Sequence, residues 1–279
     1  MDDSLRVLTQ KIPKLPTIPP VADKIIQLVS SKAAVVGSIV DTIEKDPAIS
    51  AKVISFANAA FYRMGQPVTT IQDAVMKIGF DNVKSIALGI SLLTLFKAKP
   101  GADDTSYLSI TRHSMAVGII SKEIADFIGC SNNDDIFTCG LLHDLGFMVM
   151  NAFFPEIYAR INEGASAGKA FYAVEDEVCG VTHGEIGAWL ADKWNLPDNM
   201  CEVIRYHHQP AGSTSLAVSI VHLADVLSIK KGFCPVSSTV FESRPDTKAL
   251  QTLGIDGKRL DKLEARIDEM ISQIGSVWP

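Results

Sequence analysis

The sequence lacks the features that mark secreted, membrane-spanning and nucleic-acid-binding proteins. Its N-terminus, MDDSLRVLTQ, has no basic segment followed by an apolar run, so we expect no secretory signal peptide. The longest strongly apolar stretch lies near 85–96, whereas a membrane-crossing helix needs roughly 20 apolar residues. The net charge of −6 gives no basic footprint for nucleic acid. We therefore expect a cytoplasmic protein without a membrane segment.

The cysteines do not indicate a disulfide framework. There are five of them, an odd number, and none stands in a C-x-x-C pair. Reduced cysteines in a cytosolic core are favoured over disulfides or a thiolate metal site. They are Cys130, Cys139, Cys179, Cys201 and Cys234.

Helical periodicity runs through nearly the whole chain, and alternating strand patterns are scarce. Asp46-Pro47 is typical of a helix start, and Thr70 followed by Asp73 resembles a capping box. Gly79 suits a helix end. These patterns predict an all-α protein of 279 residues, 47% hydrophobic, with no internal repeat.

The loop-like segment KAKPGADD at 97–104 predicts a boundary between two helical regions, 1–100 and 101–279. In the first region, TTIQDAVMKIGFDNVKSIALGI superficially resembles a helix-turn-helix. Its second helix carries only Lys84 as a cation, so a buried helical hairpin is favoured over DNA binding. In the second region we predict helices near 106–128, 134–151, 171–194, 197–207, 215–230 and 261–274.

All six histidines fall inside the second region, several in apolar surroundings. His143-Asp144 lies in CGLLHDLGFMVM, and Asp225 lies in LAVSIVHLADVLSI. A carboxylate inside such a helix is costly to bury unless it is paired, hydrogen-bonded or bound to a metal. Imidazole and carboxylate are suitable ligands for zinc, iron, manganese or nickel. In chain order the polar set is His113, His143, Asp144, His183, His207, His208 and Asp225.

Each of these residues has a simpler explanation when it is taken alone. His113 fits a helix surface, His183 fits a solvated turn, and Asp225 fits a core carboxylate bonded to another helix. His222 lies three residues before Asp225, and a half-exposed structural histidine is favoured over one that orients Asp225. The order of the set along the chain, H…HD…H…HH…D, favours a shared site over these separate explanations. We expect the seven residues to converge on one pocket.

That order resembles the HD superfamily of metal-dependent phosphohydrolases, and the surrounding segments resemble its HDOD family. The first half carries IPKLPTIPPVADKIIQLV and EKDPAISAKVISFANAAFY, and the second carries RHSMAVG, CGLLHDLG, HGEIGAWLADKWNLP and IRYHHQP. The resemblance implies a helical bundle with an N-terminal helical half and an HD-like half.

The resemblance also implies a ligand set for one or two divalent transition-metal ions, with iron, zinc, nickel and manganese as the candidates. His113, His143, Asp144 and Asp225 match the ligands of a first ion. His183, His207 and His208 match those of a second. Asp144 matches the bridging and catalytic carboxylate. Two such ions would leave a positive centre that attracts phosphate and acidifies a water molecule.

Two departures from the HD-GYP branch bear on function. Phe147 replaces the lysine of HDxGK, and no GYP motif follows His207-His208. Ser109, one turn before His113, cannot supply a carboxylate for a third ion.

We therefore expect a regulatory domain of bacterial signal transduction that retains the metal site. The alternative is a metal-dependent phosphohydrolase acting on a nucleotide or a cyclic-dinucleotide-like substrate. The expected partners are signalling proteins or a phosphate-containing small molecule, with nucleic acid disfavoured.

Overall fold

The structure is a computed structural model that describes residues 3–12, 16–30, 36–58, 66–97, 104–130, 135–167, 169, 171–235 and 244–271. Within these ranges every regular element is a helix, which confirms the predicted all-α class. The first six are α1 (Asp3–Thr9), α2 (Pro20–Ser30), α3 (Val36–Glu44), α4 (Pro47–Ala57), α5 (Ile71–Ile78) and α6 (Phe80–Leu93). The next five are α7 (Asp104–Phe127), α8 (Ile136–Leu142), α9 (Leu145–Phe153), α10 (Pro155–Ser166) and α11 (Phe171–Cys179). The last five are α12 (His183–Lys193), α13 (Asp198–Tyr206), α14 (Leu216–Lys230), α15 (Thr247–Leu253) and α16 (Gly257–Ile271).

The helix starts and the helix end predicted in the first half are confirmed. The Asp46 carboxylate accepts hydrogen bonds from the backbone N–H groups of Ala48 and Ile49, at 3.0 and 3.1 Å. The Thr70 hydroxyl caps α5, and Gly79 follows that helix with a φ of 86°. Of the predicted buried hairpin, α6 is buried along most of its length, whereas α5 buries one face through Ile71, Ala74 and Ile78. Most of the predicted 97–104 loop lies outside the described residues.

Two helices predicted as continuous are each broken in two, one at His143 and Asp144 and the other just before His183. The helix predicted near 134–151 is α8 and α9, separated by the turn at His143 and Asp144. The helix predicted near 171–194 is α11 and α12, separated at Gly180, whose φ is 67°. Thr182 and Glu185 then form a capping box that starts α12. The apolar periodicity continues across both breaks, so the sequence pattern did not predict them.

The segment Ile136–Phe153 has the length and the mean hydropathy, 1.4, of a helix that could cross a membrane. However, 94% of this segment is buried inside the protein, and α8 and α9 divide it. Its apolar character is accounted for by its central place in the core.

Two hydrophobic clusters form the core. The larger one joins residues of α2, α4 and α6 to residues of α9 and α12, so it contains residues from both sides of the 97–104 segment. The smaller one joins α7 and α14 to α15 and α16. The division into regions 1–100 and 101–279 stays a prediction.

Glycines allow the site-bearing helices to approach closely. A Cβ atom on Gly140 would lie 2.8 Å from the Cα of Gly118, where α8 crosses α7. A Cβ atom on Gly146 would lie 1.8 Å from the carbonyl oxygen of His183, and one on Gly187 would lie 2.8 Å from the Gly146 nitrogen. These contacts bring the start of α9 against the start of α12, and therefore bring Asp144 next to His183.

Candidate metal centre

The seven predicted site residues converge on one place, although five different parts of the chain supply them. They are His113 in the middle of α7, His143 and Asp144 in the α8–α9 turn, His183 at the start of α12, His207 and His208 after α13, and Asp225 within α14. All are buried except His208, whose side chain is 23% exposed. Their role as metal ligands stays a prediction.

One group of ligand atoms surrounds the Oδ2 atom of Asp144. The Nε2 atoms of His113 and His143 each lie 3.4 Å from this oxygen, and 3.2 Å from each other. The Oδ1 atom of Asp225 lies 3.1 Å from His113 Nε2 and 4.0 Å from His143 Nε2. We call these four residues the buried group.

A second group surrounds the other oxygen of the same carboxylate. The Nε2 atoms of His183 and His207 lie 3.4 and 3.6 Å from Asp144 Oδ1, and 3.2 Å from each other. His208 completes the set, with its Nδ1 atom 3.6 Å from Asp225 Oδ2. We call Asp144, His183, His207 and His208 the cleft group. Asp144 therefore faces both groups, as a bridging ligand would.

Hydrogen bonds fix the orientation of four imidazole rings. Each ring places its Nδ1 atom against an oxygen that can only accept, so Nδ1 carries the proton. The Nε2 atom of each ring then points into the centre. The Nδ1 partners are Phe233 O for His113 (2.8 Å), Gly140 O for His143 (2.7 Å), Glu175 Oε1 for His183 (2.7 Å) and Ile204 O for His207 (2.8 Å).

This arrangement suits a cation. Two neutral imidazoles with Nε2 atoms 3.2 Å apart repel each other unless a positive charge lies between their lone pairs. Asp144 Oδ1 is buried and accepts no hydrogen bond from the described residues. In each group of possible ligand atoms, His113–His143–Asp144 and Asp144–His183–His207–His208, the atoms lie within 4.8 Å of one another. These buried groups could hold divalent transition-metal ions, which favour imidazole and carboxylate donors.

The electrostatic field differs between the groups. Burial opposes the charged form of His143, but the Asp144 carboxylate outweighs burial and raises the pKa of His143 to about 9. Burial dominates for His207 and lowers its pKa to about 4. Burial also opposes ionisation of Asp144, yet His143 holds the pKa of Asp144 well below its usual range. The buried group therefore attracts positive charge, while the His207 ring is neutral at neutral pH.

Glu175 contacts the site and was missed by the sequence interpretation. It is fully buried in α11, and its Oε1 atom accepts the Nδ1–H of His183. Burial raises the pKa of Glu175, and its Oε2 atom has no hydrogen-bond partner among the described residues. The available signal was its position four residues after Phe171, on the apolar face of the helix.

His222 is buried, not half-exposed as predicted. Its Nδ1 atom donates to the carbonyl oxygen of His207 at 2.7 Å, and its Nε2 atom accepts from the backbone N–H of Asp246 at 2.9 Å. The ring therefore joins α14 to the end of α13 and to the start of α15. Its recorded bonds are to backbone groups, which supports the structural role over orientation of Asp225.

Phe147 occupies the position where the HD-GYP pattern has lysine. It is buried, and its ring stacks on the His183 imidazole with centroids 3.9 Å apart and an interplanar angle of 22°. Phe171 packs edge-on against it at 4.8 Å. Phe147 therefore supports the His183 ring from the core and supplies no cation to a ligand.

A cleft of about 220 Å³ leads from the surface to the cleft group. His183, His207 and His208 line it, together with Glu175, Tyr172 and Arg205. None of His113, His143 and Asp225 is among its lining residues. A small molecule entering here meets the cleft group first.

Comparison with known proteins identifies the family. The model of the HDOD domain matches residues 15–210 of this chain. The chain belongs to the HDOD family. An uncharacterised protein of Treponema pallidum is 24% identical over 203 residues, which is 72% of this chain but 39% of that protein. The chain therefore spans about two fifths of the length of this relative.

Solved structures share the HDOD fold. An HDOD domain protein of unknown function from Geobacter sulfurreducens superimposes with a TM-score of 0.82 at 22% identity, covering 99% of this chain and 97% of that one. A candidate signal transduction protein from Marinobacter aquaeolei has a TM-score of 0.70 at 27% identity, covering 94% and 58%. A candidate metal-dependent phosphohydrolase from Shewanella amazonensis has a TM-score of 0.65 at 20% identity, covering 98% and 97%.

Proposed function

We propose that this HDOD chain is a regulatory module of bacterial signal transduction whose histidine–aspartate centre holds one or two divalent transition-metal ions. The observation that carries the proposal is the convergence of four oriented Nε2 lone pairs on the two oxygens of Asp144. The structural similarity to a candidate signal transduction protein of Marinobacter aquaeolei supports the signalling context.

Each ion would have a separate set of protein ligands. His113, His143 and Asp225 would hold the first ion, His183, His207 and His208 would hold the second, and Asp144 would contact both. Iron, zinc, nickel and manganese all accept such donors. When bound, the ions supply Lewis acidity and compensate the buried carboxylates.

The chain's own residues favour regulation over turnover. The buried group does not line the cleft, so a ligand reaches only one end of the centre. Phe147 supports His183 from the core where the HD-GYP branch has a cation. The seven candidate ligands lie on α7, the α8–α9 turn, α12, the end of α13 and α14. Ion binding would therefore cross-link most of the second half of the chain and stabilise its folded state.

Elemental analysis of the full chain, purified without chelator, tests the proposal. We expect one or two transition-metal ions per chain, and Asp144→Ala is expected to lose most of them because Asp144 faces both groups. Thermal unfolding should show a higher melting temperature for the metal-loaded wild type than for the metal-free protein. A wild type that stays metal-free after incubation with iron, zinc, nickel and manganese would contradict the proposal.

A metal-dependent phosphohydrolase is the second candidate, and the cleft that reaches His183, His207 and His208 favours it. The same preparations can be screened against nucleotides and cyclic di-GMP. We expect at most weak turnover of cyclic di-GMP, because neither the lysine nor the GYP segment is present to position this substrate. Robust turnover that Asp144→Ala abolishes would replace the regulatory proposal with the enzymatic one.

The proposed setting is the bacterial cytoplasm, with signalling proteins or a phosphate-containing small molecule as partners. No disulfide joins the five cysteines in the described part of the chain, which suits a reducing compartment. The net charge of −6 disfavours nucleic acid as a partner. Affinity capture of the tagged chain from its own cells, followed by mass spectrometry and nuclease treatment, checks both expectations. Capture that depends on nucleic acid would contradict them.

A further inference from the structure

The cleft has a single strong cation at its wall. Arg205 lies in the last turn of α13, two residues before His207, and it is exposed. Among the described residues that line the cleft, it is the only lysine or arginine. No carboxylate of the described residues lies within ion-pair distance of its guanidinium, so the charge is free to meet a ligand.

The two carboxylates in the cleft wall have other partners. Glu175 accepts the Nδ1–H of His183 at 2.7 Å. Glu185 accepts from the backbone N–H of Thr182 at 2.9 Å and from its hydroxyl at 3.1 Å. Neither carboxylate pairs with Arg205, so its positive charge has no counter-ion among the described residues.

We propose that Arg205 binds the phosphate of a small phosphomonoester that enters the cleft and reaches the His183–His207–His208 end of the centre. This inference rests on the proposed metal centre and names the ligand class for it. The planar guanidinium offers two parallel N–H donors that match two phosphate oxygens. A phosphate between Arg205 and an ion held by the cleft group would be attracted from both sides.

The dimensions of the cleft favour a small ligand. Its volume of about 220 Å³ is below the roughly 300 Å³ at which pockets for drug-sized molecules begin. The ring of Tyr172, which is 47% exposed, lies at the wall and offers an apolar face to the organic part of the ligand.

Calorimetric titration of the metal-loaded full chain with inorganic phosphate and with phenylphosphonate tests the inference. Wild type, Arg205→Gln and Arg205→Lys are compared, with Arg160→Gln on α10 as a matched control. Arg160 is also exposed, but it does not line the cleft. Metal content and circular dichroism are measured for every variant.

We expect Arg205→Gln to weaken both probes at least tenfold, the loss typical of a charge-assisted hydrogen bond. Arg205→Lys should lose less, and Arg160→Gln should match the wild type. Metal content should be unchanged in all variants, because Arg205 is not a proposed ligand. Tighter binding of phenylphosphonate than of phosphate would support the contribution of the Tyr172 wall.

Four results would overturn the inference, and they separate it from the proposed function. A metal-loaded wild type that binds neither probe, or an Arg205→Gln variant that binds both normally, would remove the role of Arg205 and leave the metal centre intact. An Arg205→Gln variant that loses metal would make the residue structural. A wild type that takes up no metal would overturn both proposals.

Discussion

The buried group and the cleft group are built from similar side chains, but different contacts orient their histidines. In the buried group, His113 and His143 donate their Nδ1–H groups to main-chain carbonyls of Phe233 and Gly140. In the cleft group, His183 donates to the side chain of Glu175 and stacks on Phe147. The buried group is enclosed, whereas the cleft group is open to small molecules.

The main chain therefore orients the histidines of the buried group, whereas replaceable side chains orient His183 in the cleft group. A substitution elsewhere in the chain cannot delete a main-chain carbonyl, so the orientation of His113 and His143 depends mainly on the fold. The orientation of His183 depends on two side chains, and either can be changed without altering a ligand. Support of this kind typically changes metal affinity by 10–100-fold when it is removed.

Phe147→Lys should have the largest effect of the changes that test this comparison. It would place an ammonium group in the core under His183 and remove the stacked ring, so we expect a loss of at least about 3 kcal/mol in the free energy of unfolding. Urea denaturation of the metal-free protein measures it. Met76→Lys, at a position that is 78% exposed, is the control and should change this energy by less than about 0.5 kcal/mol. A fully stable Phe147→Lys protein would show that the cleft end has room for a cation.

Gly146→Ala should have the next largest effect, because its methyl group would collide with the His183 carbonyl oxygen. We expect a loss of about 1–3 kcal/mol in the free energy of unfolding, as helices α9 and α12 are forced apart. Gly37→Ala on α3, where a Cβ atom meets nothing within 4 Å, should instead stabilise the protein by roughly 0.5–1 kcal/mol. Equal effects of the two substitutions, measured by urea denaturation, would contradict the α9–α12 contact.

Glu175→Ala should have the smallest effect on folding and the most selective effect on metal binding. Without the carboxylate, His183 loses its orienting acceptor, so affinity for the second ion should fall by about 10–100-fold while the first ion is retained. Competition titration with a chelator measures both affinities. Glu177→Ala on the same helix is the control, since Glu177 is exposed and pairs with Lys169. Equal weakening of both ions would show that the two groups do not act separately.

The site could be predicted from the sequence to a considerable extent. The order H…HD…H…HH…D selected seven residues that the fold brings together, because that order resembles the pattern of the HD superfamily. Glu175 was missed because a single carboxylate in an amphipathic helix has no motif of its own. The breaks at His143 and at Gly180 were missed because apolar residues continue on both sides of each turn.

The sequence by itself determined the helical class, the caps at Asp46 and Thr70, and the identity of the candidate ligands. The helical class and the caps follow from local periodicity and from hydrogen bonds within a few residues, whereas the candidate ligands follow from the resemblance to the HD superfamily. The tertiary structure alone decided that Asp144 faces two groups, that Phe147 lies under His183, and that Arg205 stands beside the cleft. Such relations depend on how separate helices pack, because side chains distant in sequence meet only when the core closes around them.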